Sequence, residues 1–122
     1  MKVVTKPWGK EIWLELNEKY CYKRIYINEG HRTSYQFHKK KVETNFIAEG
    51  DAIVFLAEGD DAPQRFEMSA GEFFTVHPFV KHRIVAKTNL ILMEVSTPEV
   101  DDVVRLHDDS NRVNGRIASE HE

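Results

Sequence analysis

Short runs of alternating apolar and polar residues occur along most of the chain. EIWLEL (11–16) separates its three aliphatic residues from Glu11, Trp13 and Glu15, and YCYKRIYIN (20–28) alternates in the same way. A period of two is typical of a strand that buries one face. Further β-rich stretches follow at 43–48, 51–57, 64–68, 72–77, 82–86 and 89–96.

Turn residues separate these stretches, and no long amphipathic helix lies between them. Gly30, Gly50, Gly71 and the run from Gly59 to Pro63 mark the turns. Many short strands at regular spacing predict an all-β antiparallel sandwich or barrel, in a single domain over residues 1–122. The pattern changes after Pro98. The C-terminal tail, residues 98–122, is compatible with a short helix that begins near Asp101 or with an extended segment packed on the barrel.

Composition limits the class of protein. The chain has 122 residues, 41% hydrophobic and 30% charged, which fits one soluble globular domain. A net charge of −3 argues against a nucleic-acid partner. No run approaches the apolar length that spans a membrane, and the start has no stretch of signal-peptide length. The lone cysteine, Cys21, excludes an intrachain disulfide, and we expect a cytoplasmic protein.

Candidate metal ligands occur in and after the segment SYQFHKKKVE (34–43). If this segment is a strand, Gln36 and His38 point to the same side, and Glu43 returns to that pocket beyond a bend. His82, on a later strand, completes a set of two oxygens and two imidazoles that suits a divalent cation. The alternative is that these histidines are structural residues held by hydrogen bonds.

The same strand alternation predicts on which side of the strand each basic residue lies. It directs Arg32, Ser34 and Lys40 toward the side of His38, and Lys39 and Lys41 outward. An inward ammonium near a metal pocket is a candidate both for holding a phosphate or carboxylate and for acting as a general base, because desolvation and a nearby cation lower its pKa.

Further residues are candidates for contact with the substrate or for proton transfer. Lys23 and Arg105 are candidate anion contacts; Lys23 shares a face with Ile25 and Ile27, whereas Arg105 has a structural alternative as a tether to an acidic residue of the tail, Asp102 or Asp108. Arg32 and Ser34, on the His38 face, are candidate substrate contacts. His31 and Lys40 are candidate proton carriers.

The spacing of these residues resembles the two motifs of the cupin superfamily. Motif 1, residues 30–50, reads Gly30, then Gln36-x-His38, then Glu43 and Gly50, with glutamine at the first histidine position. Motif 2, residues 71–86, runs from Gly71 to His82, with Phe79 where the family has an internal glycine. The resemblance implies a small jelly-roll barrel whose interior holds Gln36, His38, Glu43 and His82 as metal ligands.

The flanking segments resemble the mannose-6-phosphate isomerase-like cupins, including the isomerase domain of type II phosphomannose isomerases. The similarity covers KPWGKE (6–11), YKRIYINEG (22–30) and MEVSTPEVDDVVRLHDDSNR (93–112). Matching tail positions are Asp101, Asp102, Arg105, Asp108 and Arg112. The chain departs from the family at HKKKVETN (38–45), where the family often reads HHHRAEHW, and this change puts substrate and catalytic details in question.

The resemblance implies a metal-dependent aldose–ketose isomerase in carbohydrate metabolism, with a sugar or sugar phosphate as the ligand. The metal is a divalent ion such as Zn, Mn, Fe, Ni or Co. Two alternatives stay open: a metal-binding cupin that binds a sugar without catalysis, and a non-haem iron oxygenase that uses His38, Glu43 and His82. Tyr20, Tyr22 and Tyr26 beside Trp13 suggest a homodimer through a sheet face.

Overall fold

The computed structural model describes residues 1–121, and within them the chain forms eleven strands and one short 3-10 helix. The strands are β1 (Lys2–Lys6), β2 (Gly9–Leu16), β3 (Cys21–Ile27), β4 (Tyr35–Phe37), β5 (Glu43–Glu49), β6 (Asp51–Ala57), β7 (Gln64–Ser69), β8 (Phe73–Val76), β9 (Lys81–Ala86), β10 (Leu90–Ser96) and β11 (Val104–His107). The 3-10 helix spans Ala118–His121. The all-β prediction is confirmed, and β1 is a strand that the sequence pattern did not reveal.

The strands form two antiparallel sheets that face each other. The six-stranded sheet has the order β1-β2-β3-β10-β5-β8, and the five-stranded sheet has the order β11-β4-β9-β6-β7. Strands distant in sequence therefore become neighbours: β10 lies between β3 and β5, and β9 lies between β4 and β6. This interleaving brings residues from both ends of the chain to one interior.

The interior has an apolar half and a charged half. On the six-stranded sheet, Ile27 pairs with Leu90 and Ile25 with Leu92, and all four side chains are buried in the core. One step further along the same strands, Lys23 pairs with Glu94. The inner row of the sheet thus changes from aliphatic to charged side chains over a distance of about 7 Å.

Strand β2 buries a charged and an aromatic residue instead of its aliphatic ones. Glu11 and Trp13 are 8% and 7% exposed, whereas Leu14 and Leu16 are 40% and 44% exposed. The Trp13 indole N–H donates to Glu11 Oε1 at 2.9 Å, so the pair enters the interior with its polar atoms bonded. The placement of Trp13 beside the tyrosines on an outer face is therefore wrong.

The sequence left two conformations open for the C-terminal tail, a short helix or an extended segment, and the tail is extended. β11 pairs antiparallel with β4 at the edge of the five-stranded sheet, which satisfies backbone groups that a free edge would leave unpaired. The helix considered near Asp101 does not form, and the only helical turn in residues 1–121 is the one at Ala118–His121. No helix among the described residues has the length and apolar character needed to cross a lipid bilayer.

Glycine at position 50 is explained by a close backbone approach. Gly50 has φ of 94°, and a Cβ there would lie 2.4 Å from the carbonyl oxygen of Asn89. No side chain fits that contact without moving backbone. The tight turn between β5 and β6 therefore requires the glycine that ends motif 1.

Candidate functional site

Three metal-ligating side chains converge inside the barrel. His38 follows β4, His82 lies on β9 and Glu43 begins β5, and their ligand atoms lie within 4.8 Å of one another. All three residues are buried. The two histidines come from the five-stranded sheet and the glutamate from the facing sheet, so the cluster joins the two layers. It is called the triad below.

The hydrogen bonds of the histidines assign both the same tautomer. His38 Nδ1 donates to the carbonyl oxygen of Asp102 at 2.5 Å, and His82 Nδ1 donates to that of Val80 at 2.9 Å. In this tautomer of the neutral ring, the Nε2 lone pair is directed inward. Backbone carbonyls commonly orient metal-bound histidines in this way.

The inward atoms are arranged to hold a cation. Glu43 Oε1 lies 2.8 Å from His38 Nε2 and 3.7 Å from His82 Nε2. Two ligand atoms about 2.1 Å from one metal ion are separated by about 3.0 Å in octahedral and about 3.4 Å in tetrahedral geometry, close to these spacings. A carboxylate oxygen facing a nitrogen lone pair at such a distance is stabilised by a proton or a metal ion between them. His82 Nε2 is buried without a hydrogen-bond partner, so the donor set fits a divalent cation.

Electrostatics favours the metal-binding forms of Glu43 and His82. Burial alone would raise the pKa of Glu43, but Lys41 and the two histidines outweigh it and hold that pKa well below its usual range. Burial lowers the pKa of His82, and the neighbouring carboxylate only partly opposes this shift. An anionic carboxylate beside a neutral imidazole is the ligand form for divalent metals.

Gln36, the expected fourth ligand, lies next to the triad. It pairs with His82 across β4 and β9 and lines the same cavity. Its Oε1 accepts a hydrogen bond from the buried Ser34 hydroxyl at 2.5 Å. Metal coordination by Gln36 stays a prediction, and Ser34, which was expected to contact substrate, lies behind the glutamine as its partner.

The lysine run bends after β4, so its side chains do not point in the directions that strand alternation predicts. Strand β4 ends at Phe37, and the Asp102 carboxylate accepts hydrogen bonds from the backbone N–H groups of Lys39, Lys40 and Lys41. This bend interrupts the alternation, so Lys40 is exposed and Lys41 is buried with 6% exposure. The inward orientation predicted for Lys40 and the outward one predicted for Lys41 are both wrong.

Lys41 belongs to a buried row of charges that sequence reasoning missed. Its Nζ lies 3.1 Å from Glu94 Oε1 and 3.8 Å from Glu43 Oε1. Burial disfavours the ammonium form, but Glu94, Glu43 and Glu11 outweigh this effect and raise the pKa of Lys41. The available sequence signal was Glu94 itself, a carboxylate at the inward position of the alternating strand LILMEVS.

Lys23 points into the barrel and is already paired there. Its Nζ lies 3.2 Å from Glu11 Oε1 and stacks over the Trp13 ring. Burial would raise the pKa of Glu11, but Lys23 and Lys6 outweigh it and lower the pKa to about 2. Because a carboxylate neutralises Lys23, its expected role as an anion contact stays a prediction.

Arg105 lines the cavity without an acidic partner among the described residues. Its guanidinium donates to the carbonyl oxygens of Val113 and Gly115, and its Nε is buried with no partner. The tether to Asp102 or Asp108 is absent, because Asp102 binds the lysine bend and Asp108 pairs with Arg112. Arg105 is therefore a cation of the cavity wall that no carboxylate of residues 1–121 neutralises.

Arg32 and His31 lie outside the cavity, as does the exposed Lys40. The Arg32 side chain is 46% exposed and pairs with Asp109 at 2.8 Å, so its placement on the His38 face is wrong. The reason is that β4 begins only at Tyr35, and Arg32 precedes it in an isolated bridge to Val85. The catalytic roles suggested for His31 and Lys40 gain no support from these positions.

The triad and the charged row share one cavity of about 90 Å³. The C-terminal tail closes one side, with Arg105, Arg112, Ile117 and His121 among its lining residues. Glu120, near the end of the tail, pairs with Lys6 of β1 at 2.9 Å and with Arg112 of the tail itself at 3.1 Å. The end of the tail is thus joined to β1 by an ion pair, whereas β11 is held to β4 by strand pairing.

Solved structures share this fold, and some of them are described as cupins. CapF from Staphylococcus aureus, a capsular polysaccharide assembling protein, superposes with a TM-score of 0.73 at 13% identity over 86% of this chain and 31% of its own. Oxalate decarboxylase from Lactobacillus farciminis gives 0.73 at 19% identity over 86% and 33%. An RmlC-like cupin from Shewanella frigidimarina gives 0.66 at 23% identity over 80% and 83%. At these identities the likeness shows the fold alone.

Sequence comparison identifies the family. No curated protein sequence matches the chain. The chain spans about a third of the length of CapF and of oxalate decarboxylase. Residues 1–108 match the family described as mannose-6-phosphate isomerase C-terminal. The cupin jelly-roll prediction is confirmed, and the chain belongs to the mannose-6-phosphate isomerase C-terminal family.

Proposed function

We propose that this protein is a metal-dependent isomerase that interconverts an aldose and a ketose, with a sugar or sugar phosphate as its substrate. The observation that carries the proposal is the buried triad, whose three ligand atoms lie within 4.8 Å of one another inside a polar cavity. The family supports the same reaction class. A cytoplasmic location is part of the proposal and suits the free, buried Cys21.

Different residues of the cavity would bind the metal ion and the phosphate. His38, Glu43 and His82 would hold the cation, with Gln36 as a fourth ligand. A divalent cation there supplies Lewis-acid polarisation of a carbonyl and its neighbouring hydroxyl, which stabilises the negative charge that develops when a proton leaves carbon. Arg105 would hold the phosphate, since its guanidinium has no carboxylate partner among residues 1–121 and its Nε is buried without a partner.

Access to the triad involves the C-terminal tail. The cavity holds about 90 Å³, whereas sites for ligands of this size usually enclose about 300 Å³ or more. Beyond β11, the tail is attached to β1 through the ion pair of Glu120 with Lys6 rather than by strand pairing. We infer that a sugar phosphate enters when this segment moves outward.

The test is turnover of mannose 6-phosphate and related aldose phosphates by the protein loaded with Zn, Mn, Fe, Ni or Co in turn. The expected result is ketose formation with at least one metal, lost in His38→Ala and His82→Ala together with the bound metal. His77→Ala is the matched control, because His77 is exposed and outside the triad. Failure with every metal and every aldose would refute the isomerase proposal.

A second candidate is a metal-binding cupin that binds a sugar phosphate without converting it. The observation that favours it is the position of His31 and Lys40, the expected proton carriers, outside the cavity. A ligand-dependent thermal shift without turnover would support this candidate. The two-histidine, one-carboxylate triad also matches non-haem iron oxygenases, and oxygen consumption by the iron(II) form would identify that chemistry.

The homodimer remains part of the proposal. The outer face of the six-stranded sheet exposes Tyr22, Phe46, Val95 and Phe73, with Phe73 67% exposed. Register pairs Met93 with Phe46 and Phe46 with Phe73, so apolar side chains continue across neighbouring strands. Light scattering on the purified protein, repeated with Phe73→Ser, tests whether this face joins two copies.

A further inference from the structure

One carboxylate of the tail bridges two cations of the cavity wall. Lys6 Nζ donates to Glu120 Oε1 at 2.9 Å, and Arg112 Nη1 donates to Glu120 Oε2 at 3.1 Å. The three side chains are at most 13% exposed. A lysine and an arginine that each donate to a different oxygen of one anion form the arrangement by which proteins hold carboxylate or phosphate groups. The bridge is therefore built like an anion-binding site with its anion supplied by the chain.

The bridge lies between the interior cavity and the outside of the protein. Lys6, Arg112 and Ile117 line both the cavity and an open surface groove, and Glu120 lines the groove. Lys6 belongs to β1, whereas Glu120 lies in the 3-10 helix Ala118–His121. The carboxylate thus occupies the groove side of the wall, from which an anion in solution would approach the same two cations.

The cations around Glu120 exceed the carboxylates that neutralise them. Among the described residues, Lys6 forms an ion pair with Glu120 alone. Arg112 shares its guanidinium between Glu120 and Asp108. Arg105, which has no carboxylate partner in the same part of the chain, is close enough to be affected by both charges. Burial lowers the pKa of Arg105, the Arg112 charge adds to this shift, and the Glu120 carboxylate opposes it.

The charge balance favours an anion that carries more than one negative charge. The three cations set against Asp108 and Glu120 leave one positive charge at the site, and they leave two when Glu120 moves away. A phosphate group carries about −1.5 to −2 charges at neutral pH, so it neutralises the cations more completely than one carboxylate does.

We propose that Glu120 is a built-in competitor that occupies an anion site formed by Lys6 and Arg112, and that a phosphate group from solution displaces it and releases the end of the tail from β1. This inference rests on the proposed function in one respect, the outward movement of the tail. The anion site itself does not depend on catalysis or on a metal ion.

The competitor lowers the affinity of the site for any external anion. Because Glu120 is tethered by the chain, it competes at a high effective concentration, and the apparent affinity falls in proportion to the fraction of molecules in which it has left. Glutamine at this position keeps the size of the side chain and removes its charge. Glu120→Gln is therefore expected to bind phosphate at least about 10-fold more tightly than wild type, as for the loss of a charged hydrogen-bond partner that competes for the site.

Calorimetric titration of the metal-free protein with inorganic phosphate tests this gain, since phosphate then has no metal ion to bind. The titration is made at about pH 8 and at constant ionic strength in chloride. Glu18→Gln, which removes an exposed glutamate from the turn after β2, is the matched control and should bind as wild type does. Lys6→Met should abolish the gain in the Glu120→Gln background, whereas Lys10→Met, which replaces an exposed lysine of β2, should keep it.

Hydrogen–deuterium exchange of the wild-type protein tests the displacement without any substitution. Phosphate is expected to speed exchange in residues 116–121, because the end of the tail loses its ion pair with Lys6. Mannitol 6-phosphate, which has no carbonyl to isomerise, should act in the same way. Tighter binding of this ester than of inorganic phosphate identifies a phosphate ester as the ligand, and the reverse identifies free phosphate; both support the site.

Equal phosphate affinity of wild type and Glu120→Gln overturns the inference, as does phosphate binding that leaves exchange in the tail unchanged. Phosphate binding that Glu120→Gln strengthens, without turnover of any aldose phosphate, refutes the isomerase and leaves the anion site standing. Turnover without that strengthening refutes the displacement alone.

Discussion

Replacing Lys41 with methionine removes the cation that lies between two buried carboxylates. The Lys41 Nζ is 3.1 Å from Glu94 Oε1 and 3.8 Å from Glu43 Oε1, and the residue is 6% exposed. At an effective dielectric constant of about 20 these contacts are worth about 5 and about 4 kcal/mol before the cost of desolvation. Loss of one partner of a buried ion pair typically destabilises a protein by about 3–5 kcal/mol, which is the change expected for Lys41→Met.

Urea unfolding of the metal-free protein at pH 7 measures this change directly. Lys39→Met and Lys40→Met are matched controls, because both residues are exposed and should stay within about 0.5 kcal/mol of wild type. The difference in unfolding free energy between Lys41→Met and wild type should also become smaller as the pH falls. Burial and Glu43 raise the pKa of Glu94, so the folded state takes up a proton there before the unfolded chain does, and acid relieves the unpaired charge.

The reasoning fails if Lys40→Met destabilises the protein as much as Lys41→Met. That outcome would mean that the lysine run continues the β4 alternation and that Lys40 faces the cavity. A loss below about 1 kcal/mol for Lys41→Met would instead show that water reaches the ammonium, because exposed ion pairs contribute only about that much.

Three further changes test other parts of the structure. Burial would raise the pKa of Glu11, but Lys23 outweighs burial and lowers the pKa to about 2, so Glu11 stabilises the fold above pH 4.5 and this contribution, about 3 kcal/mol, is lost as the pH falls toward 2. Glu11→Gln should therefore flatten the acid-unfolding curve in that range. Phe79 has φ of 67° and stacks on Phe37, so Phe79→Gly should be about 1 kcal/mol more stable than Phe79→Ala in thermal unfolding, since both lose the ring and only glycine relieves the backbone. Glu120→Gln weakens the ion pair with Lys6 that attaches the tail to β1, and it should speed association of mannitol 6-phosphate in stopped-flow measurements; an unchanged rate would contradict access through the tail.

Phe79 also shows how a motif departure is accommodated. The family has a glycine at this position of motif 2, and the backbone keeps a left-handed conformation that suits glycine although phenylalanine occupies it. Strain of about 1–2 kcal/mol is the usual cost of such a conformation for a side chain with a Cβ. The loop is held there because Phe79 N–H donates to the His38 carbonyl oxygen at 2.7 Å, which ties it to the triad.

Alternation along the chain was enough to predict an all-β protein and most of its strands, because hydrogen-bonded pairing with one buried face imposes a period of two. The resemblance to the two cupin motifs selected His38, Glu43 and His82, which the structure brings together, and Gln36, which lies beside them. The alternation is a local property, because the side that a residue occupies is determined by its number along its strand.

Contacts between elements distant in sequence decided the rest. Parity failed at Lys40 and Lys41 because Asp102, more than sixty residues away, bends the chain and resets the alternation. Glu94 became part of the site only because β10 lies beside β5, where it faces Asn45. The strand period orders side chains within a strand, whereas the order of strands in the two sheets decides which charges share the interior, and no local pattern encodes that order.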